Sequence, residues 1–140
     1  MGSVEPSPEQ MASFVKSGEG ASPIVMINLL RYRAKAAYPE GFDATPCSGR
    51  EAYQRYGEVA FERIASVNGR LLWFGSVQAV VIAPDAEQWD DAILIEYPSR
   101  KAFIEMVTQP EYLAAAPHRS AALEDSRLIA TNTLAGPLSG

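Results

Sequence analysis

Two ionisable side chains are candidates for acid–base chemistry. Glu96 lies near the end of a largely apolar run, residues 89–97, and His118 is the only histidine in the chain. Burial on a central strand tunes the pKa of a carboxylate, as a general acid or base requires. The alternative for Glu96 is a structural ion pair with Arg70 or Arg127. Glu96 and His118 are the predicted catalytic residues.

His118 has two interpretations. It follows Pro117, which predicts a helix start at which the helix dipole favours the neutral imidazole. Such an imidazole could act as a base or as a haem ligand. The alternative is a surface or helix-packing histidine that is hydrogen-bonded to a nearby carboxylate.

Four further residues are predicted to bind a substrate. Asn28 is the one polar residue inside an apolar strand and could orient a substrate carbonyl or simply satisfy Glu96. Tyr32 and Trp73 could line an aromatic pocket, although aromatic residues at such spacing more often belong to the core. Arg119 could bind an anionic substrate, or it could pair with acidic residues that follow it in the chain.

Several chemistries lack their motifs. The chain contains no C-x-x-C pair and no H-x-x-x-H pair, so we expect neither a structural nor a catalytic zinc site. No glycine-rich phosphate loop follows a strand, and no G-x-S-x-G elbow is present. Cys47 has no histidine beside it, so an activated thiolate is not indicated. We therefore expect neither a metal nor a cofactor.

The charge balance argues against nucleic acid as a partner. The net charge is −5, whereas binding to a phosphate backbone normally needs a concentrated basic face. The chain has one cysteine, no basic and apolar leader at its start, and no apolar run near the ~20 residues that span a bilayer. We therefore expect a cytoplasmic protein with no membrane partner.

The hydrophobic periodicity predicts the elements that must position these residues. Strands are expected where apolar residues run continuously or alternate, at 23–33, 70–83, 89–97 and 128–131. Helices are expected after capping signals, which stand at Ser7, Ser48, Ser99 and Thr108. Glycines at 18–20 end the first helix, Asn68-Gly69 ends the second with the glycine left-handed, and Pro117 breaks or kinks the last. A long loop, 34–48, is either a lid or a surface insertion.

This order of elements is that of a ferredoxin-like βαββαβ fold, an α+β sandwich with an extra N-terminal helix. The first and third strands are central in that topology, and they are the most apolar of the short strands. We expect an N-terminal tail and helix over residues 1–22, one ferredoxin-like domain over 23–131, and a mobile C-terminal tail over 132–140.

Helices cover only one face of such a sheet, so the other face needs a partner. We expect the open face to carry Met26, Asn28, Leu30 and Tyr32 from the first strand, with Leu94 and Glu96 from the third. Because a monomer would expose this apolar surface, the sequence predicts a homodimer with its sheets packed face to face. Asn28 and Glu96 would then share one cavity.

The chain also resembles a known family. The segments that carry the resemblance are VMINLLRYR (25–33), NGRLLWFGS (68–76), WDDAILIEYPSRKAF (89–103) and PEYLAAAPHRSAALEDSRLIAT (110–131). They are similar, in order and spacing, to the domain of unknown function family DUF1330, over most of residues 23–131. The resemblance implies a dimeric α+β barrel. The wider superfamily includes cofactor-free monooxygenases, lactone isomerases, haem-binding enzymes and stress-response proteins, so the fold alone does not imply a reaction.

Three functional hypotheses follow. The first is a homodimer with a small, mostly apolar cavity that binds or transforms a small organic molecule, by proton transfer or cofactor-free oxygenation if a reaction occurs. Glu96 and Asn28 would be its polar contacts, with His118 and Arg119 at the edge. The second is a non-catalytic binding or stress-response dimer. The third is a haem-binding protein that uses His118.

Overall fold

A layer of helices covers one face of an antiparallel sheet. The computed structural model describes residues 2–17 and 22–137. Its elements are, in chain order, α1 (Pro8–Lys16), β1 (Ile24–Tyr32), α2 (Gly49–Ser66), β2 (Arg70–Ser76), β3 (Asp91–Tyr97), α3 (Arg100–Val107), α4 (Pro110–Ala122) and β4 (Leu123–Thr131). The strand order is β2-β3-β1-β4. This is the predicted ferredoxin-like α+β fold, with β1 and β3 central and α1 as the extra helix.

The core lies between the sheet and α2, α3 and α4. The side chains of Leu30, Ile93 and Leu123 are fully buried there. Each such side chain contributes about 1.5–3 kcal/mol through removal of apolar surface from water. Helix α1 has no buried residue and touches this core mainly through Phe14, whose ring meets the Phe103 ring edge-on at 5.6 Å. Helix α1 therefore covers the core from outside.

The strand register decides which side chains share a face. Asn28 pairs with Ile93, whereas Glu96 pairs with Val25. Paired residues project to the same face, and Ile93 belongs to the core beneath the helices. Asn28 therefore lies on the helix-covered face and Glu96 on the open face. Glu96 lies on the face predicted for it, but the prediction is wrong for the β1 set of Met26, Asn28 and Leu30, which the helices cover. Both alternating sets of β1 are apolar, so the pattern does not show which one the helices cover.

Two strands differ in extent from their predictions. Strand β2 ends at Ser76, where Val77 N donates to Asp90 O at 2.8 Å and the chain leaves the sheet. The predicted continuation to residue 83 is therefore loop. Strand β4 begins at Leu123 rather than at residue 128, because the C-cap of α4 is already extended and passes directly into the strand.

The helix starts follow three of the four predicted capping signals. Ser7 and Ser48 begin capping boxes with both reciprocal hydrogen bonds, and the Ser99 side chain caps α3 by accepting from Ala102 N. The signal predicted at Thr108 is wrong, because Gln109 is the N-cap of α4 and makes no side-chain capping bond. Thr108 Oγ1 instead donates to carbonyl groups of α3, such as Ile104 O at 3.0 Å.

The helix ends differ more from their predictions than the helix starts do. Helix α4 continues through Pro117 without ending there. At the end of α2 the left-handed residue is Asn68, with φ 63°, and not the predicted Gly69. Helix α1 ends at Lys16, while the predicted glycine stop at 18–20 lies outside the described residues. None of the helices in the described residues is long and apolar enough to cross a membrane.

Candidate functional site

A cavity of about 770 Å³ lies between the helix-covered face of the sheet and the helices. Its floor comes from the sheet, its walls come from α2, α3 and α4, and one side comes from residues 3–6 and α1. Most of its lining is apolar or aromatic. The lining includes Asn28, Tyr53, Tyr56, Ile64, Tyr97, Phe103, Met106, Tyr112 and Arg119.

Three polar groups of this lining have unused hydrogen-bonding capacity. Asn28 Nδ2 donates to Ile93 O at a long 3.5 Å. The hydroxyls of Tyr53 and Tyr97 make no hydrogen bond within the described residues, although these side chains are only 7% and 3% exposed. Neither hydroxyl is fully enclosed, because Arg100 Nε is the one buried side-chain polar atom of the described residues that lacks a partner. The two hydroxyls are therefore accessible to a ligand or to water.

Burial keeps the cavity tyrosines protonated. Desolvation raises the pKa of Tyr53 to about 12, and the Arg119 cation offsets only part of that rise. Desolvation also raises the pKa of Tyr97 and of Tyr56, whose hydroxyl shares a 2.9 Å hydrogen bond with Tyr112. At neutral pH these phenols act as hydrogen-bond donors and not as bases.

Arg119 supplies a positive charge to the same cavity. Its Nη1 donates to Val4 O at 2.6 Å, and no carboxylate of the described residues forms an ion pair with it. Ser120 Oγ donates to Glu5 Oε1 at 2.6 Å, and a further hydrogen bond joins Ser126 Oγ to the N-terminal segment. Arg119 and its neighbours thus hold residues 3–5 along the side of the cavity.

A second, more open groove of about 740 Å³ runs between α2 and the strands β2 and β3. Asp91, only 2% exposed, lies at one end of it. Its Oδ2 accepts hydrogen bonds from Tyr32 Oη at 2.6 Å and from Arg50 Nη1 at 2.9 Å. Burial and then the Asp91 hydrogen bond raise the pKa of Tyr32, so this tyrosine is also a donor. Tyr32 therefore belongs to this groove.

The open sheet face carries the predicted Glu96 and Trp73. Glu96 Oε1 accepts a hydrogen bond from Arg70 Nε at 2.8 Å. This contact is the ion pair with Arg70 that the sequence offered as the structural alternative for Glu96. Trp73 is 52% exposed, and its indole lies over Gly75, where any side chain would overlap the ring. Ile129 is 48% exposed on the same face. The open face is thus an apolar surface with an ion pair at its β2 side.

His118 lies apart from both the cavity and the groove. It is within α4 rather than at a helix start, and its Nδ1 lies 2.6 Å from Tyr38 Oη. The ring of Phe42 meets it edge-on at 5.5 Å, so the 34–48 loop packs over this side of α4. Burial and then the Arg55 cation lower the pKa of His118. Its ring is therefore neutral at neutral pH and packs against the 34–48 loop, as in the helix-packing interpretation, while its roles as a base or a haem ligand stay predictions.

Comparisons with known proteins identify the family. The family model described as Domain of unknown function (DUF1330) matches residues 46–133. The chain belongs to this family. The chain is similar to RPA0582 from Rhodopseudomonas palustris, a protein of unknown function whose crystal structure is known. The two sequences are 39% identical, the match covers 97% of this chain and 100% of RPA0582, and the TM-score is 0.86. No curated protein matches the chain.

More distant structures share the fold of this DUF1330 protein. SnoaB from Streptomyces nogalater, a cofactor-independent oxygenase, is 12% identical over 85% of this chain and 100% of that chain, with a TM-score of 0.53. The hydroxynitrile lyase from Passiflora edulis is 12% identical over 84% of this chain and 99% of that chain, also with a TM-score of 0.53. At these identities the likeness shows the fold alone.

The DUF1330 fold thus brings together only two of the predicted site residues. Asn28 and Arg119 line the cavity, whereas Tyr32 faces the groove. Glu96 and Trp73 lie on the open face and His118 on the outer side of α4. Within the described residues, no group of three or more histidine, cysteine, aspartate or glutamate side chains could hold a metal ion.

Sequence reasoning missed two contributors to these sites. Tyr97 appeared only as the end of a strand, although its place in the buried alternation of β3 is a signal that it reaches the core. Asp91 begins the same alternation, two residues before Ile93, and a carboxylate in that position needs a buried cation or donor.

Proposed function

We propose that this protein is a homodimer in which each subunit binds a small, largely apolar organic molecule in the cavity between sheet and helices. The volume of about 770 Å³ lies within the range of ligand sites, ~300–1,000 Å³. Such sites combine apolar walls with a few polar groups that fix orientation. Here those groups are Asn28, Tyr53, Tyr97 and Arg119.

The observation that carries the proposal is a set of polar groups with unused hydrogen-bonding capacity on one mostly apolar cavity lining. The hydroxyls of Tyr53 and Tyr97 make no hydrogen bond within the described residues, and the Asn28 amide makes one long bond. Neither hydroxyl is fully enclosed, so each is accessible to a ligand or to water. Phenylalanine at Tyr53 or Tyr97 would fill nearly the same volume, so packing alone does not account for the hydroxyls. A ligand in the cavity could hydrogen-bond to all three groups.

The dimer is supported by the open sheet face. Trp73 and Ile129 leave about half of their surface in water on this face, beside the less exposed Ile27, Leu29 and Leu94. A monomer rarely exposes so continuous an apolar surface on a sheet. A second copy of the same face, packed sheet to sheet, would bury it. The Glu96–Arg70 pair would then lie at the edge of the interface.

A reaction is not part of the proposal. Cofactor-free proton transfer or oxygenation stays a hypothesis from the sequence, and SnoaB supports only the fold at its level of identity. The cytoplasmic location likewise stays a prediction. Neither predicted catalytic residue, Glu96 or His118, is among the residues that line the cavity.

Binding is tested with N-phenyl-1-naphthylamine, a neutral dye that fluoresces in apolar surroundings. We expect saturable fluorescence in the wild-type protein. Ala116 lines the cavity on α4, so Ala116→Phe fills part of it and should weaken dye binding at least about tenfold by steric exclusion. Ala114, exposed on the same helix, provides the matched control Ala114→Phe, which should bind the dye like the wild type.

Two results would count against the proposal. The first is no saturable dye binding by the wild-type protein. The second is equal binding by Ala116→Phe and Ala114→Phe, which would place the dye on the surface, for example on the open sheet face. Circular dichroism of both variants shows whether either substitution has changed the fold.

A further inference from the structure

The charge inside the cavity is unbalanced in a way that selects its ligand. Arg119 has one hydrogen bond, to the Val4 carbonyl, and no ion pair among the described residues. Arg127, the other arginine of the lining, is paired with Asp125 at 2.8 Å and with Glu87 at 3.3 Å. Arg119 is therefore the arginine of the described lining that forms no ion pair.

The acidic groups of the cavity do not remove this imbalance. Glu5 is the one carboxylate among the described lining residues, and its Oε1 accepts the hydroxyl of Ser120 instead of pairing with Arg119. The tyrosine and asparagine side chains of the lining are neutral. A half-buried guanidinium in apolar surroundings is costly unless an anion approaches it.

We infer that the ligand is an organic monoanion: an apolar body with one carboxylate or a similar delocalised oxyanion that binds Arg119. The inference rests on the proposed binding function and adds the ligand class. A guanidinium presents five N–H donors in a planar fork that matches a carboxylate, and the Val4 carbonyl occupies one of them. Tyr53 and Tyr97 offer further hydroxyl donors.

The same geometry disfavours other ligand classes. A cationic ligand would be repelled by Arg119, and the one carboxylate of the described lining residues, Glu5, already accepts the Ser120 hydroxyl. A dianion such as a phosphate monoester would bring two charges to one unpaired cation. The body of the ligand must be apolar, because Ile64, Phe103 and Met106 form much of the remaining wall.

The test uses two displacers of equal shape. The dye N-phenyl-1-naphthylamine is bound first and then displaced with 2-naphthoate or with the neutral 2-naphthamide, at neutral pH. A charge-assisted hydrogen bond predicts that the wild type prefers the naphthoate by about tenfold or more. Arg119→Gln should abolish this preference, which is a ratio between the two displacers on one variant and so does not depend on an unchanged dye affinity.

Two further variants control for structure. Arg119→Lys keeps the charge but loses the planar fork, so it should retain a reduced preference for naphthoate. Arg63, on α2 and outside the cavity lining, gives the matched control Arg63→Gln, which should behave like the wild type. If Arg119→Gln does not fold, the reduced preference of Arg119→Lys carries the test.

The outcomes separate the inference from the function on which it rests. Equal displacement by naphthoate and naphthamide in the wild type overturns the monoanion, and so does a full preference in Arg119→Gln. In both cases dye binding shows that the cavity still accepts ligands. Failure of the dye to bind the wild-type protein refutes the binding function and the inference together.

Discussion

Replacing Trp73 with glutamate tests the proposed dimer on the open sheet face. Trp73 is 52% exposed in the single chain, and its indole lies over Gly75. In a sheet-to-sheet dimer with two-fold symmetry, both copies of this residue are removed from water at once. Glutamate would place a charge in each of these positions, and Arg70 on the same strand already pairs with Glu96.

The size of the effect follows from the exposed area. A tryptophan buries up to about 250 Å² in a core or an interface, so roughly half of that, ~130 Å², remains for the dimer to cover. At ~25 cal/mol per Å² this is worth ~3 kcal/mol per subunit and ~6 kcal/mol per dimer. A loss of that size raises the dissociation constant by roughly four orders of magnitude.

The assay is size-exclusion chromatography with light scattering over a dilution series. Wild type should be a dimer, and Trp73→Glu should be a folded monomer at the same concentrations. Phe74→Glu is the matched control, because Phe74 is 43% exposed on the opposite face and pairs with Ile93. A dimeric Trp73→Glu variant would refute the reasoning, as would equal dissociation of the two variants.

Three other perturbations test separate features. Asp91→Asn should lower the free energy of unfolding by about 2 kcal/mol, because the Tyr32 hydroxyl and the Arg50 guanidinium lose their charged acceptor. Glu58→Gln, at an exposed position, is the control and should change it little. Denaturant titration measures both variants. Tyr53→Phe should leave stability unchanged or raise it, because its hydroxyl has no partner in the described structure, while Tyr56→Phe should cost about 1 kcal/mol through loss of a tyrosine–tyrosine hydrogen bond. Burial and a nearby arginine lower the pKa of His118, so the unfolded chain binds a proton at this imidazole more readily than the folded chain does. The free energy of unfolding should therefore fall as pH drops below about 6.5. In thermal melts, the melting temperature of a His118→Gln variant should fall less between about pH 7.5 and pH 5.5 than that of the wild type.

The fold was predictable because its signals are local. The capping boxes at Ser7 and Ser48 and the apolar runs of β1 and β3 each depend on residues a few positions apart. Together they fix the order of elements, and the order fixes the topology. The box predicted at Thr108 failed, because the proline at the first helical position was enough to start α4 without a side-chain cap.

The site was less predictable because its contacts join distant parts of the chain. The Arg119–Val4 hydrogen bond spans 115 positions, and the Arg50–Asp91 pair spans 41. No local pattern encodes either contact. The face of Asn28 was also undetermined, since β1 is apolar on both sides and only pairing with a partner strand decides which side the helices cover.

The ionisable groups of the cavity limit what it can do after binding. Its tyrosines keep their protons because burial raises their pKa, and its arginines stay charged. Among the described lining residues, the one carboxylate is that of Glu5, on the N-terminal segment. A cavity with several donors and one arginine outside any ion pair stabilises an oxyanion, whether the ligand arrives as one or becomes one by losing a proton. Anion binding therefore follows from the whole lining, whereas neither predicted catalytic residue, Glu96 or His118, belongs to it.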